Sequence, residues 1–277
     1  MARLEVDSGF FLNVDIEGYG PPVVLLHGFT GSSTGWDALR ELLNAEFTTY
    51  AIDIVGHGGS DKPPAIDRYL MTKAAEDLMR VAVLAGAERA AWMGYSMGAR
   101  TALHVAANGP GEVRCLTLIG GSPGLATKSE RETRIASDGA LAERIERDGI
   151  GPFVDFWESI PLFASQQRLP EDVRARIRKG RLANDPVGLA NSLRGMGTGA
   201  QAQLFDKLKS LHVPMLLLAG EEDPKFMAIG REVARTAPDA TFKPIPEAGH
   251  AAQVENPQSV ADQFIPFLRQ AFQQGDK

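Results

Sequence analysis

Short apolar runs alternate with amphipathic stretches along most of the chain, and no other feature restricts its fold so strongly. The runs "FFLNVDI", "PPVVLLHG", "FTTYAIDIVG", "RAAWMGYS", "RCLTLIGGS", "VPMLLLAGEED" and "TFKPIPEAGH" have the length and composition of strands. Between them, "WDALRELLNAE", "LMTKAAEDLMRVAVLAG", "MGARTALHVAANGP", "MAIGREVARTAP" and "PQSVADQFIPFLRQAFQQ" repeat apolar residues at helical spacing. Strands buried on both faces need no polar alternation. Apolar runs separated by helices therefore predict an α/β fold, a mostly parallel sheet with helices on both faces.

The alternation breaks once. From about Leu125 to Lys209 the pattern is helical throughout, in "SERETRIASDGALAERIERDG", "GPFVDFWESIPLF", "EDVRARIRKGRLAND" and "VGLANSLRGMG". The segment is rich in Leu, Ile, Phe and Trp and lacks the low complexity of a linker, so it reads as a helical cap inserted between two strands. The expected organisation is a core over 1–124, a cap over 125–209 and the rest of the core over 210–277. A length of 277 residues suits one core with a lid.

Hydrophobic residues make up 44% and charged residues 23% of the chain, the balance of a globular protein with a large core. The net charge of -6, with no block of Lys and Arg, argues against nucleic acid or an anionic membrane as partner and leaves small molecules. No stretch approaches the ~20 apolar residues of a membrane span, and "MARLEVDSGFFLNVDIEG" has no apolar run of signal-peptide length, so a cytoplasmic location is expected. Cys115, the only cysteine, sits in a strand run and reads as a small hydrophobe. Monomer and homodimer are both compatible with these features.

"GYSMG" falls where a strand ends and a helix begins, and there the pattern G-x-S-x-G describes a nucleophile elbow. Gly94 and Gly98 permit a tight turn that holds Ser96 out at the carboxyl end of the sheet. A serine hydroxyl needs an imidazole to take its proton and a carboxylate to orient that imidazole. Of the five histidines, His250 lies in "EAGHAAQVENP", in a loop between the last strand and the last helix, where the chain order serine, acid, histidine would place it. His27 and His57 read as loop braces, and His104 and His212 as structural. Three carboxylates follow a strand in "LLLAGEEDPKF". Asp223, the last and shortest, is nearest the "GH" loop, with Glu222 as the rival. No metal-ligand spacing, dinucleotide fingerprint or P-loop competes, so neither a metal nor a cofactor is expected.

Ser96, Asp223 and His250 in that order, with "HGFTGSS" after an early strand, resemble the alpha/beta-hydrolase superfamily over essentially the whole chain. That resemblance implies an eight-stranded sheet and an oxyanion hole formed by the backbone N–H groups of Phe29 and Met97. The motifs "GYSMGAR", "GSPGL", "WESIPLFASQ", "LANSLRGMGTGAQ" and "GEEDPKF" are similar to those of the 2-succinyl-6-hydroxy-2,4-cyclohexadiene-1-carboxylate synthase family, lyases of menaquinone biosynthesis on a hydrolase scaffold. One departure is "IDIVGHGGS", where many relatives have Pro before the first Gly.

The finer resemblance implies a polycarboxylate substrate, for which arginine forks are the natural receptors. Arg100 lies one helical turn past Ser96, and Arg134 matches a substrate arginine of the family. A salt bridge on the elbow helix is the competing reading for Arg100, and a solvated helix face for Arg134. Trp157 matches a pocket-wall tryptophan, although core packing explains it equally; Tyr95, next to Ser96, is a further pocket candidate. Three uses of the serine remain open: lyase chemistry without an acyl-enzyme, ester, thioester or C–C hydrolysis through one, and ligand reception without turnover.

Overall fold

The computed structural model describes residues 1–273. Its strands are β1 (Ala2–Asp7), β2 (Phe10–Gly18), β3 (Pro22–Leu26), β4 (Thr48–Ile52), β5 (Ala91–Tyr95), β6 (Cys115–Ile119), β7 (Met215–Gly220) and β8 (Ala240–Ile245). They form one eight-stranded sheet in the order β1-β2-β4-β3-β5-β6-β7-β8. β2 is antiparallel to β1 and β4, and all pairs from β4 to β8 are parallel.

The inner strands are apolar without interruption because their alternate residues enter different cores. Val23 and Leu25 of β3 face one core and Val24 and Leu26 the other; Ala91 and Met93 of β5 oppose Trp92 in the same way. On one face the sheet is covered by α2 (Met71–Leu84), α3 (Met97–Asn108) and α9 (Pro224–Thr236). The other carries α1 (Asp37–Leu43), α10 (Ala252–Glu255) and α11 (Pro257–Gln273). Burial pushes the Cys115 thiol up to about 12, consistent with an inert packing role.

β1 has no counterpart among the runs read as strands. It is an edge strand with an intermediate-exposed-buried pattern, and its charges Arg3, Glu5 and Asp7 diluted the apolar signal. Pro244 lies on β8, at the opposite edge, where a missing N–H breaks no ladder.

Between β6 and β7 the chain runs through α4 (Lys128–Asp148), α5 (Ile150–Ser159), a 3-10 segment (Pro161–Arg168), α6 (Glu171–Leu182), α7 (Pro186–Met196) and α8 (Phe205–Leu208). Thr127 and Glu130 start α4 with a reciprocal capping box, and Asp185 caps α7. α4, α5 and α7 enclose their own small core of Ala142, Ile145, Phe153, Val154, Leu189 and Leu193. Phe29, from the loop after β3, packs against that core and against the sheet core. Asn184 also donates to Thr30 O at 2.9 Å, fastening these helices to the same loop.

Candidate active site

The turn from β5 into α3 explains why "GYSMG" needs its glycines. A Cβ on Gly94 would lie 2.2 Å from Gly98 O, and one on Gly98 would lie 2.1 Å from Leu26 O, so backbone fills both places. Ser96 is forced to φ 52°, ψ -107°, a strained conformation for a residue with a side chain. Its N–H donates to Ile119 O at 2.8 Å, which holds the turn against β6.

Three elements meet at this turn. His250, between β8 and α10, places Nε2 3.0 Å from Ser96 Oγ and Nδ1 2.8 Å from Asp223 Oδ2. A carboxylate only accepts, so Nδ1 carries the proton and Nε2 is free to accept from the serine hydroxyl. Asp223 follows β7, and its other oxygen, Oδ1, accepts from Phe226 N–H at 3.1 Å at the start of α9. Asp223 and His250 are buried at 6% and 3% exposure, which keeps water from competing for these bonds. Glu222 points elsewhere: Arg168 donates to its carboxylate at 2.6 Å on the surface.

Phe29 and Met97 line the same cavity as Ser96. Met97 is the first residue of α3, and Phe29 stands in the loop after β3; neither N–H donates to another group among the described residues. The Phe29 loop is braced from beneath. His27 Nδ1 donates to Gly28 O at 2.8 Å while Nε2 accepts from Ile54 N–H at 3.0 Å. Burial lowers its pKa and keeps the ring neutral for both roles. Asp53 accepts from Ser33 N–H at 2.6 Å and Gly59 N–H at 2.8 Å, joining the loop to the "GHGGS" turn. His57, in that turn, packs edge-on to Phe29 and is driven to about 3 by burial, and His104 is driven to about 4. His212 lies exposed near Asp239.

Ser96 and His250 open into a cavity of about 550 Å³, whose walls include Phe29, Met97, Tyr95, Arg100, Arg134 and Trp157. Arg100 donates from Nη1 to Met196 O at 2.7 Å and to Gln201 Oε1, and it makes no carboxylate pair among the described residues. Among the described residues its Nε and Nη2 have no hydrogen-bond partner. Burial and nearby Arg134 lower its pKa to about 10, so it stays a cation at neutral pH. Arg134 is half engaged: Nε donates to Asp138 Oδ1 at 2.8 Å along α4, and burial pushes that carboxyl up. Trp157 has both roles weighed for it, since it stacks on buried Phe153 at 5.7 Å, meets Phe29 edge-on at 5.5 Å and lines the cavity. The Tyr95 ring lies 5.3 Å from the His250 ring, and burial raises its phenol pKa.

Several cavity residues escaped the reading of the sequence. Thr133 and Ser137, four residues apart on α4 beside Arg134, put hydroxyls on one wall. Their i, i+4 spacing in the sequence is the signal that places both on one helix face. Phe226 packs 4.6 Å from the His250 ring, and Lys225 also lines the cavity; both lie in "GEEDPKF", beside the acid.

Residues 21–257 match the family model described as alpha/beta hydrolase fold, the class that this sheet and this hydrogen-bonded serine, histidine and aspartate define. A protein of Bacillus subtilis (strain 168), which carries the name 2-succinyl-6-hydroxy-2,4-cyclohexadiene-1-carboxylate synthase provisionally, is 46% identical over 89% of this chain and 89% of its own. The enzyme of that name from Salmonella agona (strain SL483) is 34% identical over 90% of this chain and 94% of its own. The solved structure of MenH from S. aureus superposes with a TM-score of 0.88 at 32% identity, covering 93% of this chain and 98% of that one. The chain belongs to the 2-succinyl-6-hydroxy-2,4-cyclohexadiene-1-carboxylate synthase family of alpha/beta hydrolases.

Proposed function

We propose that the protein eliminates pyruvate from 2-succinyl-5-enolpyruvyl-6-hydroxy-3-cyclohexene-1-carboxylate, giving 2-succinyl-6-hydroxy-2,4-cyclohexadiene-1-carboxylate for menaquinone biosynthesis. One observation carries this reading beyond family membership: the Ser96–His250 pair opens on the same cavity as Arg100 and Arg134, in a chain whose net charge of -6 otherwise repels anions. A triad alone suits any acyl transfer. A triad facing two arginines suits a substrate with several carboxylates.

Ser96 Oγ, its proton passed to His250 Nε2, acts as the base, and Asp223 holds the imidazole and stabilises its cationic form. The proton removed is on the ring carbon beside the succinyl ketone, and the enolate oxygen is received by the Phe29 and Met97 N–H groups. As the enolate collapses, the ring double bond moves one position along, the C–O bond to the enolpyruvyl group breaks, and enolpyruvate leaves to be protonated to pyruvate. No acyl-enzyme forms. Arg100 and Arg134 hold substrate carboxylates, while Trp157 and Tyr95 wall the ring. Residues 125–209 act as the cap that encloses it, against core segments 1–124 and 210–277.

A second reading is favoured by those same two N–H groups, which would serve the tetrahedral oxyanion of ester or thioester hydrolysis equally well. Pyruvate release from the enolpyruvyl substrate, followed by NADH oxidation with lactate dehydrogenase, is the test. Turnover of p-nitrophenyl esters without pyruvate release would select the hydrolase instead. The partner is a small molecule. We further propose a cytoplasmic monomer or homodimer that takes no nucleic acid, which the acidic charge and the absence of basic blocks support. Among the described residues no helix is long and apolar enough to cross a membrane.

A further inference from the structure

We propose that Glu255 is a positioning residue that sets His250 against Ser96. Orientation of the imidazole by Asp223 is effective only if the backbone carrying the ring is itself fixed. β8 ends at Ile245, and from Pro246 to His250 the chain has one backbone hydrogen bond among the described residues, from Glu222 N–H to Ala248 O at 3.0 Å.

The remaining restraint comes from two successive side chains beyond the loop. Gly249 N–H donates to Glu255 Oε2 at 2.7 Å and Ala251 N–H donates to Glu255 Oε1 at 3.1 Å, so one carboxylate grips the peptides on both sides of His250. Asn256 Nδ2 donates to Pro246 O at 2.9 Å and fastens the start of the loop. The bond to Ala251 alone would be a helix cap, because Ala251 precedes α10. The bond to Gly249 has no such explanation, since that residue lies upstream of the histidine and outside the helix. Gly249 and Ala251 are buried, so without Glu255 neither N–H would find water in its place. Only a carboxylate presents an acceptor to each; a glutamine offers one oxygen, and its amide group would oppose the second N–H.

The inference rests on Ser96 and His250 being the reacting pair but not on the substrate. Its test therefore uses diisopropyl fluorophosphate, which labels the serine directly: Ser96 Oγ bonds to phosphorus, fluoride leaves, and His250 takes the hydroxyl proton. In E255Q, far-UV circular dichroism and cooperative unfolding should be retained, while labelling per folded molecule and kcat for pyruvate release fall on the order of tenfold to a hundredfold. KM should stay within about twofold, because the cavity walls are untouched. If E255Q fails to fold, E255D carries the same comparison, being one methylene too short to reach both N–H groups. Labelling at the wild-type rate by the folded variant overturns the proposal. Wild-type protein that labels but releases no pyruvate sinks the lyase reading and leaves this one standing if E255Q labels slowly. Wild-type protein that does not label overturns the reacting pair and the positioning role together.

Discussion

Ser96 occupies a backbone conformation that a side-chain-bearing residue adopts only when its neighbours leave no other, and its hydroxyl meets His250 because of it. Replacing Ser96 or His250 by Ala is expected to reduce kcat by ~10⁴ to 10⁶ with the fold intact, the usual result of breaking such a triad. Asp223→Asn should retain substrate binding and slow turnover by a similar order, whereas Glu222→Gln should be near wild type, because its partner is a surface arginine. Steady-state kinetics on the four variants would reverse the assignment if Glu222→Gln were the crippled one. The arginines differ from each other. Arg100 has no carboxylate partner among the described residues, so Arg100→Ala should raise the barrier for the anionic substrate by about 1.5 to 3 kcal/mol in kcat/KM and leave a neutral ester unaffected. Arg134→Ala should lower stability as well, since it leaves buried Asp138 without its ion pair. Equal losses on both substrates would show that these arginines hold the surrounding helices in shape and not the ligand.

Among elements, the elbow is the least tolerant. α3 crosses β3 so closely that a methyl group on Gly98 would stand 2.1 Å from Leu26 O, a collision with backbone that no rotamer relieves. Gly98→Ala should therefore displace α3 and lower stability by about 2 kcal/mol or more, with activity lost to a misplaced Ser96. A thermal midpoint equal to wild type would contradict the close crossing. The inner strands and the longer surrounding helices are legible because each buries a face, and burial writes a period into the sequence, whereas the four residues of α10, Ala252–Glu255, are too few to show one and read as loop. β1 is not legible either, because at a sheet edge most of its side chains meet water and no period survives. The start of the 3-10 segment Pro161–Arg168 reads as the end of the helical run "GPFVDFWESIPLF", and its remainder, 164–168, carries no apolar spacing of its own.

Across the whole molecule, three buried histidines tie stability to pH. His27, His57 and His104 all have their pKa values lowered by burial, so below about pH 6.5 the unfolded chain takes up protons that the native protein refuses. Stability is fully present well above that point and lost as the pH falls, approaching about 1.4 kcal/mol per pH unit for each of His57 and His104. For His57 and His104, at about 3 and about 4, the loss continues down to those values. Urea unfolding at about pH 6.5 and pH 5 should show the two lowering the free energy by on the order of 3 kcal/mol, and a flat profile would mean that they are not buried neutral.

The sequence by itself determined the order of elements along the chain: which runs become inner strands, that only helical segments stand between the sixth and seventh strands, and that a serine stands on a strand-to-helix turn with an acid and a histidine downstream. These are local matters of periodicity, glycine placement and chain order. Only the tertiary structure decided which carboxylate reaches His250, that Arg100 Nε and Nη2 are without a partner among the described residues while Arg134 shares itself with Asp138, and that Glu255 grips the histidine loop from both sides. Each depends on atoms a few ångströms apart in space, supplied by segments far apart or differently turned along the chain. Residue type and spacing carry no record of which oxygen a folded backbone finally presents to which nitrogen.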